Sequence, residues 1–598
     1  MDSKKENGMF MTWTMLVRAS VILLLALNLA ACNQGEGGGG GTGFQSIYVD
    51  ATLGNDTTGN GTQTLPYQTL AKLATLTYSV PTTIYLKRGE VWHESLLIPA
   101  SKITVDAYST GAFPQINGSR QIFTWSPVLT NIYSAVVILN TGEALGNLSE
   151  NGTMMTFVPW NTNIATTFAS APFGSYSYDF NLDTLYIKKA TSPTGFTYLA
   201  SVKLYGIQAS GLSDISIKNV DVTRSSLHGI EFKNCVRCNV TNVTLENIGG
   251  AVIGANTSAP PDYLYAGNAI DYSNNSTDGQ VSSVTITDIF DSCLAVETYT
   301  SNSTAASISM DNALISKCGF AGVELSVLSN GGTNINSAIN NVTVSNTAVI
   351  SAGKGWSGNR YGTTGHGMRI VADQNAGTMS GISVQTFTAS DSAGDGIYIG
   401  GEVGTVNLHR INSHNNAGRG INVLDANATT LGLKLSSSLI YNNTGNGVAY
   451  NAPQGVGLQI YHNTFYNNGT INLAIYNQAN LADIRNNAFY SSSAMAHLYS
   501  AAALSNPTVD HNCYNNVTNM FGYNGMTYSS VSAFNTATGF EANGIGGAVG
   551  LANPASGIFT LLSTSDCIGR GDSTDGITED YTGGAFSSPP SSGAYEYP

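Results

Sequence analysis

One short unit recurs along the middle of this chain. It is a small residue, an apolar one, a variable one and another apolar one: "GIEF" at Gly229, "AIDY" at Ala269, "AVET" at Ala295, "GVEL" at Gly322, "GMRI" at Gly367, "GIYI" at Gly396, "GINV" at Gly420 and "GVAY" at Gly447. The starts are 40, 26, 27, 45, 29, 24 and 27 residues apart, which suits one turn of a solenoid apiece with two longer intervals for insertions or a skipped coil. A second pattern agrees, since Ile217, Val220 and Val222 of "IKNVDV" return 23 residues later as Val240, Val243 and Leu245 of "VTNVTL". Asn-rich turns such as "YNNTGNG" separate the units, and no apolar spacing near 3.6 persists, so stacked strands are expected and helices are not.

Composition supports an all-β chain. Of 598 residues, 66 are Gly and 30 are Tyr, and only 10% are charged. The net charge of -14 excludes nucleic acid as a partner, because phosphates need a basic face. An acidic polysaccharide would need a metal or a local basic cluster.

The N-terminus reads as a secretory signal. Lys4, Lys5 and Arg18 precede the run "VILLLALNLAAC", about half of a membrane span, ending in small residues. Leu29-Ala30-Ala31-Cys32 resembles the bacterial lipobox, which implies acylation of Cys32. "NQGEGGGGGTG" follows as a flexible tether, and Asn33 implies outer-membrane placement, so the only expected membrane contact is a lipid anchor. Residues 1–31 are then the signal and 32–45 the tether. Of the other cysteines, Cys235 and Cys238 form "CVRC", which could pair or suggest metal or redox chemistry. With no second such pair and no His pair nearby, the spacing favours buried thiols in a repeat turn.

After the tether, Tyr48, Val49, Asp50, Gly54, Asn55, Asp56, Gly61, Thr62, Pro66, Tyr67 and Thr69 lead to Lys87, Arg88, Gly89, Ala107, Tyr108, Gly111, Pro114 and Gly118. This pair of segments resembles the cap and first coils of bacterial right-handed parallel β-helix proteins, the pectate-lyase-like superfamily. The resemblance implies a cap and first coils over 46–119, a β-rich insertion over 120–211, repeats over 212–515 and an irregular closing segment over 516–598. Lyases, hydrolases, epimerases and binding proteins share the fold, so it implies no single activity.

Alternation places the apolar residues of each unit inward, and the small and variable residues outward. The outward column then reads Glu231, Asp271, Glu297, Glu324, Arg369, Tyr398, Asn422, Ala449. Coils lie ~4.8 Å apart, so Asp271, Glu297 and Glu324 form a carboxylate ladder that a proton, an arginine or a Ca²⁺ ion must relieve. A solvated acidic face is the alternative. The ladder shortens if Ile253 occupies the coil after Glu231.

The loop "SAGKGWSGNRYGTTGHGMRI" borders this column. Its Lys354, Trp356, Arg360, Tyr361 and His366 suit stacking on sugars and pairing with uronate or sulfate, or else belong to a surface loop with a packed Trp. "GHG" also occurs in polygalacturonases, but their "NTD" and "DD" motifs are absent. The glycines around His366 therefore read largely as a coil corner.

Two functions follow. The first is a polysaccharide lyase cleaving uronate glycans by β-elimination, with Lys354, Arg360 or His366 as base and Arg369 or metal-binding Asp271, Glu297 and Glu324 as neutraliser. Tyr361 could donate the proton, and Trp356, Tyr361, Tyr398 and Asn422 would hold the sugar. The pectate lyase, alginate lyase and epimerase motifs are missing, so no subfamily is implied. The second is a monomeric, non-catalytic glycan-binding or adhesin-like surface protein. A glycosidase is a third choice, because it needs two carboxylates placed across a bond.

Overall fold

The structure is a computed structural model describing residues 43–598, apart from 162, 257–261, 330, 331, 333, 357–364, 425–430, 453–455, 470, 478–480 and 493–495. Two sheets, of 23 and 14 strands, run the length of a coiled stack and are parallel except where Phe521–Tyr523 pairs antiparallel with Met526–Tyr528 at the end of the smaller one; a third of three strands joins them near the middle. Register follows the repeat: Ile217 pairs with Val240, and Val222 with Leu245, as the 23-residue period requires.

The interior is a set of aliphatic columns. Ile230, Ile270, Leu294, Val323, Met368 and Ile397 lie in register on successive coils and are fully buried. Rings stack in the same way, with Phe465, Phe489 and Tyr514 at centroid spacings of 4.8 and 5.0 Å. The turns explain the asparagine content. Asn219, Asn242, Asn442 and Asn467 adopt positive φ, a region asparagine tolerates. Other asparagines form an internal amide ladder, Asn463 donating to Asn487, Asn487 to Asn512, and Asn512 to Glu541.

Both ends of the stack are covered. Helix Leu70–Leu73, capped by Thr69, lies over the first coils. Helix Val531–Thr538, capped by Ser530 and Gly539, stacks Phe534 on Phe521 at 4.3 Å. The closing segment then folds back along the outside, where Asp572 pairs with Arg485 and Asp575 with His462. The insertion forms a four-stranded and a five-stranded sheet with its own core around Tyr176, Leu185 and Tyr198. It closes by Ser201, since Tyr205–Ser210 already pairs with His228–Lys233 in the main stack.

Three expectations are corrected. Cys235 and Cys238 are not free thiols but a disulfide, as are Cys293–Cys318 and Cys513–Cys567. The glycine that opens a unit faces inward, because the chain bends there: a Cβ on Gly229 would lie 2.7 Å from Leu245 Cδ2 and from Ile248 Cδ1. Strand Ala251–Asn256 is no coil strand, since it pairs antiparallel with Asp262–Ala266 in a hairpin of its own.

Candidate functional site

The fourteen-stranded sheet carries the variable residues on its outer face. Its register reads Gln208, Glu231, Asp271, Ala295, Glu324, Arg369, Tyr398, Asn422, Ala449. The expected column is therefore correct at every coil but one. Leu294 and Val323 are the paired inward residues, so Ala295 takes the column position and Glu297 stands two residues further along, paired with Ser273 and Ser326. Asp271 and Glu297 are diagonal neighbours on consecutive coils, roughly 7–8 Å apart at the backbone.

The carboxyl groups have different surroundings. Glu231 is 3% exposed and accepts a hydrogen bond from Gln208 Nε2. Asp271 is 1% exposed, and its Oδ1 has no hydrogen-bond partner. Burial, and then repulsion from Glu231, push its carboxyl well above the usual range. Glu297 is only partly buried. Burial, followed by repulsion from Glu324 and Asp271, holds it toward its protonated form too. Glu324 is 5% exposed and fully engaged: Ser292 Oγ donates to Oε2, and Ser326 Oγ and Arg369 Nη1 donate to Oε1.

Calcium at Asp271, Glu297 and Glu324 does not suit this geometry. Ala295 separates Asp271 from Glu324 in the column, and Glu324 already binds an arginine and two serines. A different trio, His228, Glu231 and Asp271, has side-chain ligand atoms within 4.8 Å of one another. His228 Nδ1, however, accepts the Asn268 N–H at 3.1 Å. Burial lowers the pKa of the ring. The neutral tautomer therefore keeps its proton on Nε2 and has no vacant lone pair for a cation.

His366 repeats this arrangement. It opens the strand His366–Ala372 as His228 opens His228–Lys233, and its Nδ1 accepts the Asp395 N–H at 3.1 Å. Its ring stacks on Tyr398 at 5.0 Å and is 7% exposed, and burial brings its pKa down to about 4. Contrary to expectation it is not exposed, and its Nδ1 lone pair is committed to the backbone.

The other expected residues fall apart from one another. Arg369 is paired with Glu324 and lies over the Phe320 ring. Lys354 is exposed at the corner of the stack. Trp356 packs on Phe290 and on the core of the insertion, donating to Ile248 O, so it joins the two bodies. Asn422 is 4% exposed and donates to Asp395. Arg360, Tyr361 and Cys32 lie outside the described residues. The sequence reading missed His228, which begins "HGIEF" just as His366 begins "HGMRI"; the shared His-Gly at two coil starts was the available signal.

Neither a protein-family model nor a curated protein matches the sequence. Solved structures do match. XylC, determined in complex with xylose, superposes with a TM-score of 0.54 at 13% identity, over 92% of this chain and 98% of its own. The GH136 lacto-N-biosidase from Eubacterium ramulus gives 0.40 at 11% identity over 71% and 64% of the two chains. Pectate lyase Pel9A gives 0.40 at 15% over 65% and 88%. At such identities the likeness is one of fold. The chain is a right-handed parallel β-helix with a β-rich insertion near its N-terminal end.

Proposed function

We propose that the protein hydrolyses glycosidic bonds in a neutral glycan on the outer face of the fourteen-stranded sheet, with Asp271 and Glu297 as the working carboxyl pair. One observation carries this reading: Glu231, Asp271 and Glu297 occupy three consecutive coils of one face, and burial followed by repulsion, from Glu231 at Asp271 and from Glu324 and then Asp271 at Glu297, pushes both carboxyl groups above the usual range. Carboxyl groups crowded in this way do not all ionise together, and a protonated carboxyl beside an ionised one is the charge state glycoside hydrolysis uses. Glu297, the more exposed of the two, would protonate the leaving oxygen. Asp271, almost fully buried, would act through its charge, stabilising the positive charge that develops at the anomeric carbon while the alcohol departs with the proton from Glu297 and water adds to that carbon, returning a proton to the carboxyl group.

β-Elimination is supported less well. It needs a cation at a uronate and a base at C5. Arg369 is already neutralised by Glu324, and His366 has no vacant lone pair at neutral pH. A uronate would also meet carboxyl groups of its own sign.

XylC was solved with xylose, so xylose-containing glycans are the first substrates to try. Neutral aryl glycosides and polysaccharides, and a parallel set of uronate polymers, would be assayed for reducing ends and for the ultraviolet absorbance of unsaturated uronate. Reducing ends from a neutral glycan are expected, and Glu297→Gln and Asp271→Asn should each lower kcat by about 10²–10⁴-fold. Unsaturated uronate would replace hydrolysis with elimination. Glycan binding without any cleavage would leave the non-catalytic reading.

A further inference from the structure

The same face holds a concavity further along the stack. Strands Ile270–Ser273, Leu294–Thr298, Ala321–Val327, His366–Ala372 and Ile397–Gly401 are consecutive in the sheet, so Tyr398 lies four strand spacings from Asp271, roughly 19 Å at ~4.8 Å each. Beside Tyr398 is a cavity of about 590 Å³, lined among others by Asp373, Gln374, Asn375, Gly400 and Leu424. That volume lies within the ordinary range of small-molecule sites.

Its walls combine an aromatic ring, amides, a carboxylate and bare backbone. Tyr398 is held in place by its stack on His366. At Gly400 a Cβ would come within 3.1 Å of Leu424 O and 3.3 Å of Tyr398 Oη, so the absence of a side chain keeps this part of the cavity open. Gly401 has φ +79°, and a Cβ there would lie 1.8 Å from Ala372 O, so no other residue fits. Leu424 is 40% exposed and adds an apolar surface. Asp373 is fixed by the Ser329 N–H, which donates to Oδ2 at 2.9 Å. No Lys, Arg or His is among the described lining residues, so nothing there selects an anion. Hydrogen-bonding groups beside a ring and an aliphatic surface suit a ligand with hydroxyl edges and apolar faces.

We propose that this cavity is a remote subsite for a neutral sugar unit, so that the substrate is a glycan chain lying along the stack from the carboxyl pair to Tyr398. The inference rests on the hydrolytic reading for the identity of the far end, and on the cavity alone for sugar binding.

Calorimetry on the Glu297→Gln protein, titrated with xylo- and cello-oligosaccharides of increasing length, tests it. Affinity should rise with length until the chain spans both regions. Adding Asp373→Ala or Tyr398→Ala should weaken the long chains at least about tenfold, a difference of ~1.4 kcal/mol, while the melting temperature stays that of the parent. Affinity independent of length, or long-chain affinity untouched by both changes, would overturn the subsite, as would the binding of no oligosaccharide. If the wild-type protein cleaves no glycan yet shows the length dependence, the subsite stands and hydrolysis falls.

Discussion

His228 and His366 begin equivalent strands, and each commits its Nδ1 lone pair to the backbone N–H of the residue beside it on the next coil. The consequence for His366 is a testable pH dependence. Its folded pKa is about 4, below the ordinary value near 6.5. Between those values the unfolded chain binds more protons, so this residue's contribution to stability is complete above about pH 6.5 and is lost as pH falls toward 4. Asp271 and Glu297, with raised pKa values, act in the opposite sense, so the comparison must be made against a variant. The melting temperature of wild type should fall more steeply between pH 7 and pH 4 than that of His366→Gln; parallel curves would mean that His366 titrates normally. At this scale the sequence reading found most of the column, because the variable residue keeps its place between two buried apolar ones, although alternation failed at the small residue before them. It missed the position of Glu297 for a specific reason. In that coil the inward small residue is Cys293, tied to Cys318, and Ala295 two residues later imitates the start of a unit.

At the scale of the strand and its turn, the inward glycines set the shape of each coil. A side chain on Gly367 would meet Ala389 Cβ at 2.6 Å and Gly396 O at 2.5 Å, and one on Gly396 would meet Ser413 Oγ at 2.1 Å. Gly367→Val should therefore destabilise by about 1–3 kcal/mol, read as a lower urea midpoint, through overpacking. An unchanged midpoint would mean that this position faces solvent. The repeat made the strands and their stacking legible, since its period is the length of a coil. It did not reveal the bend, because a glycine carries no side chain whose polarity could show which way it points. Nor did it reveal the disulfides: Cys513 and Cys567 meet only because the closing segment folds back along the stack, a long-range contact that leaves no local pattern.

For the whole molecule, the insertion seats against the corner from which the face strands start, where Asn147 donates to Asn247 O and Trp356 meets Phe290. The closing segment covers a different side, through Tyr581 O, which accepts from Arg410 Nε, and through Asp572. Gly43 begins the described chain at one end of the stack, next to the first strand, Gln45–Val49. A lipid anchor at Cys32, if formed, would therefore hold the stack by that end and leave the acidic face along its side. The account places function on that face, and a crystal structure of the Glu297→Gln protein with a bound xylo-oligosaccharide tests the placement most directly. It should show a glycosidic oxygen within hydrogen-bond reach of the residue 297 side chain, an anomeric carbon facing Asp271, and further sugar units running toward Tyr398. Sugar seated instead on the insertion, for example over the stacked Trp160 and Tyr186, with the carboxyl face bare, would contradict it.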